Sequence, residues 1–143
     1  MDNVLVDFQS GIKQLDRWTR IKYAGRLDEV PGIFSKMKPM DGAIEAVKKL
    51  SRHYDLYILS TAPWNNPSAW TDKLNWIKKY LPLIGLKRLI LTHNKHLNKG
   101  DFLVDDRIKN GADRFEGELI QFGSEKFPDW RTVSAYLLGK AKD

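Results

Sequence analysis

The sequence predicts an α/β fold with a mainly parallel sheet, and three observations lead to that expectation. Short apolar runs alternate with segments of helical periodicity along the 143 residues. The apolar runs stop abruptly at polar or turn-forming residues, as buried strands do. The length suits one domain, because domains commonly hold about 100–200 residues. We therefore expect residues 1–143 to form a single domain.

Helices are predicted from capping residues and from apolar spacing. Asp41 is a good N-cap for a first helix that runs to about Leu50. A last helix begins near Pro128 or Asp129 and contains Ser134–Leu138. The helix between them ends at Pro82 and would bury one face, made of Trp70, Leu74, Ile77 and Leu81.

Strands are predicted at four places, Asp55–Ser60, Arg88–Thr92, Phe102–Val104 and Glu118–Phe122. Open α/β sheets bind ligands beyond the carboxyl ends of their strands. The polar residues at those ends are Ser60 and Thr61, Thr92 and Lys95, and Asp105 and Asp106. We expect hydroxyls, an ammonium group and carboxylates to meet at one rim of the sheet.

Residues 8–38 break the alternation of strands and helices. They mix aromatic and aliphatic residues with many charges, and Gly11, Gly25, Pro31 and Gly32 interrupt them. We expect a small helical insertion that folds over the rim as a cap. Packing against one face of the sheet is the simpler alternative.

Composition excludes several classes of function. The chain has no Cys, which rules out disulfides, thiolate zinc sites and a Cys nucleophile. No apolar run is long enough for a bilayer, and the N-terminus lacks a secretory pattern, so a cytoplasmic protein without a membrane partner is expected. The net charge of +6 suits an anionic partner.

The residues at the predicted rim suit a phosphate and a hard cation. Carboxylate oxygens such as those of Asp105 and Asp106 favour Mg²⁺, which also bridges phosphates. Ser60 and Thr61 can donate hydrogen bonds to phosphate oxygens, and Lys95 can neutralise them. A hydroxyl pair, a lysine or an aspartate pair after a strand is, taken alone, more often a cap, a turn or a solvated side chain. The occurrence of all three in this order along the chain is what indicates a phosphate site.

Four segments resemble the ordered motifs of the haloacid dehalogenase superfamily of phosphatases, and of its 5′(3′)-deoxyribonucleotidase family in particular. They are DNVLVDF at 2–8, LSTAP at 59–63, LTHNK at 91–95 and LVDDR at 103–107. The resemblance covers essentially the whole chain. It implies a Rossmann-like fold with helices on both faces of the sheet, and a Mg²⁺-dependent hydrolase of (deoxy)nucleoside monophosphates.

The resemblance also implies roles for individual residues. Asp2 would be the acid/base and a metal ligand together with Asp105 and Asp106. The phosphoryl group would be held by Ser60, Thr61 and Lys95, with Lys95 also counted among the catalytic residues. Phe8 would lie beside the base, with Phe34 of the insertion facing it.

The family's mechanism forms an aspartyl-phosphate on the first Asp of an Asp-x-Asp pair. Asp2 corresponds to the second Asp, so the position of the nucleophile lies directly before Met1. The apolar strand that occupies the centre of the family's sheet would precede it and is also absent. An upstream start, a paralogue that binds phosphate without hydrolysis, or a shortened chain would each explain this pattern, and we favour the first. We expect very weak or no turnover from the chain as written.

Other readings remain open at this point. The same fold could serve a catalytically dead phosphate- or nucleotide-binding paralogue, or a phosphatase for another small phosphorylated metabolite. A nucleic-acid-binding domain is suggested by the charge and the five Trp, but no recognisable motif supports it, and no nucleic-acid partner is expected. His93 and His96 lack a third nitrogen ligand nearby, which disfavours a histidine metal site. A homodimer is left open.

Overall fold

The computed structural model describes residues 1–142 and confirms the α/β class. The strands are β1 (Val6–Asp7), β2 (Lys38–Pro39), β3 (Ile58–Ser60), β4 (Leu89–Leu91), β5 (Phe102–Asp105) and β6 (Glu118–Gln121). The α-helices are α1 (Phe8–Ile12), α2 (Arg17–Lys22), α3 (Ala43–Leu50), α4 (Pro67–Tyr80) and α5 (Trp130–Lys140). Short 3₁₀ turns connect several of these elements.

Strand pairing is mainly parallel, as the sequence predicts. β3 pairs with β4 and β5 pairs with β6 in parallel register, whereas β1 and β2 form a small antiparallel pair. All four predicted strands are present, although β3 begins only at Ile58. The pairs are separate two-stranded sheets rather than one continuous sheet.

A cleft of about 580 Å³ is lined by both β3 and β5, which do not pair with each other. We call it the inter-sheet cleft. Leu59 of β3 and Val104 of β5 both line it, and Met1 and Leu5 also contribute to its wall. Residues 1–142 supply no strand between the two parallel pairs.

The hydrogen bonds of β3 show which way its edges face. The Ile58 amide donates to the Arg88 carbonyl at 2.8 Å, and the Thr92 amide donates to the Ser60 carbonyl at 2.8 Å. Because backbone groups of a parallel strand alternate between its two neighbours, the Leu59 amide and carbonyl face the opposite edge, toward the inter-sheet cleft.

The edge of β5 follows the same logic. The Glu118 amide donates to the Asp101 carbonyl at 2.8 Å, and the Phe122 amide donates to the Asp105 carbonyl at 2.9 Å. The backbone groups of Val104 therefore also face the inter-sheet cleft. The cleft is thus bounded by two strand edges without ladder partners in the described part of the chain.

Two helix predictions need correction. The N-cap of α3 is Gly42, at φ 73°, and not Asp41, whose side chain makes no capping hydrogen bond. Of the face predicted for α4, Ile77 and Leu81 are buried, but Ala69, Lys73 and Trp76 take the buried positions expected for Trp70 and Leu74, so the buried surface is partly rotated. Leu74 is 42% exposed, because Lys73 takes the inward position beside it. The predicted start of α5 is confirmed, since Asp129 caps it by accepting from the Thr132 amide at 2.8 Å.

The predicted insertion, residues 8–38, contributes to the main hydrophobic core. Val30, Ile33, Phe34 and Met37 are all buried in the same cluster as α3 and α4. Their backbone is held by polar contacts from α4 and the residue before it. The Trp76 indole donates to the Met37 carbonyl at 3.1 Å. Asn66 donates to the carbonyls of Asp28 and Val30 at 2.8 and 3.1 Å.

Across the residues that the structure describes, no helix is long and apolar enough to cross a bilayer.

If residues 1–143 form one domain, as the sequence predicts, the insertion should unfold together with the sheets. Ile33→Ala removes a side chain with no exposed surface and should lower the free energy of unfolding by about 2–5 kcal/mol. Ile21→Ala, at a 56% exposed position of the same insertion, should change it by less than about 0.5 kcal/mol. Urea unfolding followed by circular dichroism checks both variants. Two separate transitions would contradict the single domain.

Candidate active site

The predicted phosphate and metal residues lie around one cavity of about 520 Å³, which we call the rim cavity. Its wall includes every sequence-predicted site residue except Phe34, namely Asp2, Phe8, Ser60, Thr61, Lys95, Asp105 and Asp106. Separate segments of the sequence therefore meet at one place. The hydroxyl pair, the ammonium group and the adjacent carboxylates are on the same side of the molecule.

The carboxyl ends of β3 and β5 explain why these residues converge. Ser60 is the last residue of β3, and Asp105 is the last residue of β5. The Thr61 hydroxyl donates to the Thr92 carbonyl at 2.7 Å, which fixes the chain after β3 to the chain after β4. Lys95 begins a 3₁₀ turn that is anchored by its amide, which donates to the Asn110 carbonyl at 2.8 Å.

Lys95 and Asp105 form a buried ion pair at the floor of the rim cavity. Both residues are more than nine-tenths buried. Each charge in such a pair depends on the other, because removing one partner leaves an uncompensated buried charge. Lys95 therefore reaches the cavity while its ammonium group also neutralises Asp105.

Asp106 is more open than Asp105 and sits beside it. Burial raises the pKa of the Asp106 carboxyl, and the neighbouring Asp105 raises it further. Arg107 opposes this effect from 3.7 Å, the distance between its Nε and Asp106 Oδ2. Asp105 is neutralised by Lys95, so Asp106 is the carboxylate of this pair that a cation in the rim cavity would stabilise in its charged form.

Asp2 is held by Lys73, a residue that the sequence analysis did not single out. Lys73 Nζ lies 2.8 Å from Asp2 Oδ1 and 2.9 Å from Asp2 Oδ2. It also lies 2.9 Å from Ser60 Oγ. Burial lowers the pKa of Lys73, and the Asp2 carboxylate raises it in opposition. The signal in the sequence is a lysine at helical spacing with Ala69, Trp76 and Ile77 on the buried face of α4.

The two predicted aromatic residues occupy different positions. Phe8 lies on the wall of the rim cavity. Phe34 is 3% exposed and does not line the cavity, although its ring centroid is 5.9 Å from that of Phe8. Phe34 therefore supports Phe8 from behind instead of facing it across the cavity.

The two histidines point to different neighbours. The His93 ring lies 5.9 Å from the Trp64 ring and 6.2 Å from the Trp70 ring, whereas His96 Nδ1 lies 3.4 Å from an Arg114 nitrogen. Nowhere in residues 1–142 do three His, Cys, Asp or Glu side chains come together as a ready metal cluster. Asp2 is turned toward Lys73 and does not complete a group of three with Asp105 and Asp106.

Comparisons with known proteins agree with the geometry. Residues 5–130 match the family model described as "5' nucleotidase, deoxy (Pyrimidine), cytosolic type C protein". A protein of Vibrio phage KVP40, provisionally named 5'(3')-deoxyribonucleotidase, is 58% identical over 142 residues, which cover 99% of this chain and 84% of that protein.

More distant relatives carry the same name. A Staphylococcus aureus protein, also provisionally named 5'(3')-deoxyribonucleotidase, is 32% identical over 129 residues, covering 82% of this chain and 71% of the relative. The 5'(3')-deoxyribonucleotidase of Bacillus subtilis is 33% identical over 90 residues, covering 63% of this chain and 51% of the relative. The family match spans most of the sequence and includes the ends of β3 and β5. The chain therefore belongs to the deoxyribonucleotidase family of 5'-nucleotidases, a family of phosphomonoester hydrolases.

Proposed function

We propose that this chain carries the phosphate and metal site of a Mg²⁺-dependent hydrolase that acts on deoxynucleoside monophosphates. The observation that carries the proposal is the convergence of Ser60, Lys95, Asp105 and Asp106 on the rim cavity. The substrate class comes from the names of the relatives, which are 5'(3')-deoxyribonucleotidases.

The phosphoryl group would be held by the side chains at the ends of β3 and β4. The Ser60 hydroxyl lines the rim cavity and can donate to a phosphate oxygen. The Lys95 ammonium group supplies positive charge beside it, since it needs only one of its donors for Asp105. The Thr61 hydroxyl already donates to a carbonyl, so its contribution would come from its backbone amide or from its position.

The donor set at the end of β5 suits Mg²⁺. This ion takes oxygen ligands and is usually bound by one or two carboxylates, with waters and substrate phosphates completing its shell. Asp106, whose pKa is raised by burial and by Asp105, is the more accessible of the two adjacent carboxylates and would be the main ligand. When bound, the ion would polarise the phosphate and balance its charge.

Asp2 would act as the acid/base toward the leaving group. Its side chain is 30% exposed and lines the rim cavity, so it can reach a sugar oxygen while Lys73 holds it. The nucleophilic carboxylate would belong to the position directly before Met1, and Met1 itself lines both the rim cavity and the inter-sheet cleft. Phe8 would stack on the base, a contact that tolerates different bases.

A second candidate function is phosphate binding without hydrolysis. The observation that favours it is that the residues able to bind phosphate and metal are different from those assigned to the hydrolytic step. Ser60, Lys95 and Asp106 suffice to hold a phosphate and a metal ion, whereas Asp2 and Asp105 are each engaged in an ion pair with a buried lysine.

The experiment that tests the proposed function adds the nucleophile to this chain. An aliphatic segment of about six residues, the usual length of a strand, would be joined to Met1 so that its last residue is Asp. The matched control carries the same segment ending in Asn, and the chain of 143 residues serves as reference. Release of phosphate from deoxynucleoside monophosphates is measured with and without Mg²⁺.

We expect phosphate release only from the form that ends in Asp, and only with Mg²⁺. The Asn form would fill the same space without supplying a nucleophile. Equal release from the Asp and Asn forms would contradict the covalent route. Phosphate binding in all three forms without release from any would favour the second candidate.

Asp106 gives a separate test of the metal site. Asp106→Asn should weaken Mg²⁺ binding by more than about tenfold. Loss of a group that only contacts a metal ligand already costs about tenfold or more in affinity, and Asp106 would be a ligand itself. Asp113→Asn makes the same change of charge at an exposed position and should leave Mg²⁺ affinity unchanged. Calorimetric titration with MgCl₂ checks both variants. Equal Mg²⁺ affinities in the Asp106→Asn and Asp113→Asn variants would contradict the metal site at Asp106.

A further inference from the structure

Lys73 is the largest side chain among the fully buried residues of this chain, at 1% exposed. A buried lysine is costly unless its charge is paired and its donors are satisfied. A hydrophobic residue would fit the buried face of α4 between Ala69 and Trp76 at lower cost. The roles proposed above make no use of this ammonium group except to neutralise Asp2.

All three donors of the Lys73 ammonium group have acceptors. Two N–H groups are directed at the Asp2 carboxylate oxygens and the third at Ser60 Oγ. Ser60 Oγ therefore acts as an acceptor toward Lys73, and its own proton has no acceptor within residues 1–142. Ser60 is 1% exposed and belongs to the wall of the rim cavity. Its hydroxyl proton is therefore available to an acceptor that enters that cavity.

The remaining side of the ammonium group is closed by an aromatic ring. Lys73 Nζ lies 4.4 Å from the centroid of the Phe34 ring, within the range of a cation–π contact. Phe34 is itself buried in the core. The ammonium group therefore cannot swing away from Ser60, and the insertion that carries Phe34 helps to fix it.

We propose that Lys73 is a positioning residue of the phosphate site, which makes the Ser60 hydroxyl a dedicated donor to the phosphate and fixes the Asp2 carboxylate beside it. This inference rests on the proposed function and deepens it. Lys73 does not touch the phosphate. It acts through Ser60, and its charge is largely cancelled by Asp2.

The test measures binding of inorganic phosphate to the full chain by calorimetry in the presence of Mg²⁺, so it needs no turnover. Lys73→Met should weaken phosphate binding about tenfold, and Ser60→Ala should weaken it by a similar factor. The double variant Ser60→Ala/Lys73→Met should bind no more weakly than the weaker single variant, because both changes remove the same hydrogen bond. Lys78→Met, an exposed lysine on the same helix, should leave phosphate affinity unchanged.

A second comparison guards against loss of folding in Lys73→Met. Asp2→Asn/Lys73→Met removes both charges of the ion pair and keeps the net charge of the original chain. It should recover thermal stability relative to Lys73→Met, yet bind phosphate about tenfold more weakly than Asp2→Asn alone. A purely structural role for Lys73 would change the melting temperature and not the affinity.

The outcomes separate this inference from the proposed function. If the unaltered chain does not bind phosphate, the proposed function fails. If the unaltered chain binds phosphate and the Lys73 variants bind equally well, only the positioning role is overturned. Losses from Ser60→Ala and Lys73→Met that simply add would also overturn it, because the two residues would then act independently.

Discussion

Two buried lysines, which contact the last residues of β3 and β5, determine how the candidate site is built. Lys73 comes from α4 and Lys95 from the turn after β4, and each is neutralised by an aspartate from a different segment. A buried ammonium group requires its carboxylate partner, so Asp2 and Asp105 must lie where they do. These ion pairs join the N-terminal segment, α4 and both parallel strand pairs around one cavity.

The same arrangement compensates for a divided sheet. β3 and β5 have edges without ladder partners in the described residues, and the inter-sheet cleft separates them. Unpaired strand edges are a weakness in any sheet. Polar contacts at the rim cavity nevertheless connect the carboxyl ends of these strands. The Thr61 hydroxyl joins the chain after β3 to the chain after β4, and Lys95 joins the chain after β4 to Asp105 at the end of β5. The site can therefore be assembled although the parallel pairs do not form a continuous sheet.

The sequence predicted the positions of β3 to β6 and the group of residues at their ends, because strand ends are marked by abrupt changes from apolar to polar residues. It did not predict the role of Lys73, because a single lysine on an otherwise apolar helical face has no partner that spacing can reveal. The same residue explains why Leu74 of α4, which was expected inside, is exposed, while Ile77 and Leu81 are buried as predicted. Phe34 was expected to face the base, but its burial depends on a cation–π contact and core packing across distant segments.

The most direct test of the central claim is a crystal structure of the chain with Mg²⁺ and phosphate. We predict a phosphate within hydrogen-bond distance of Ser60 Oγ and Lys95 Nζ, and a metal ion on the Asp106 carboxylate beside it. We also predict that Lys73 Nζ keeps its contacts to Asp2 and Ser60 in the complex. Phosphate bound away from the rim cavity, or a metal ion that does not contact Asp106, would contradict the claim.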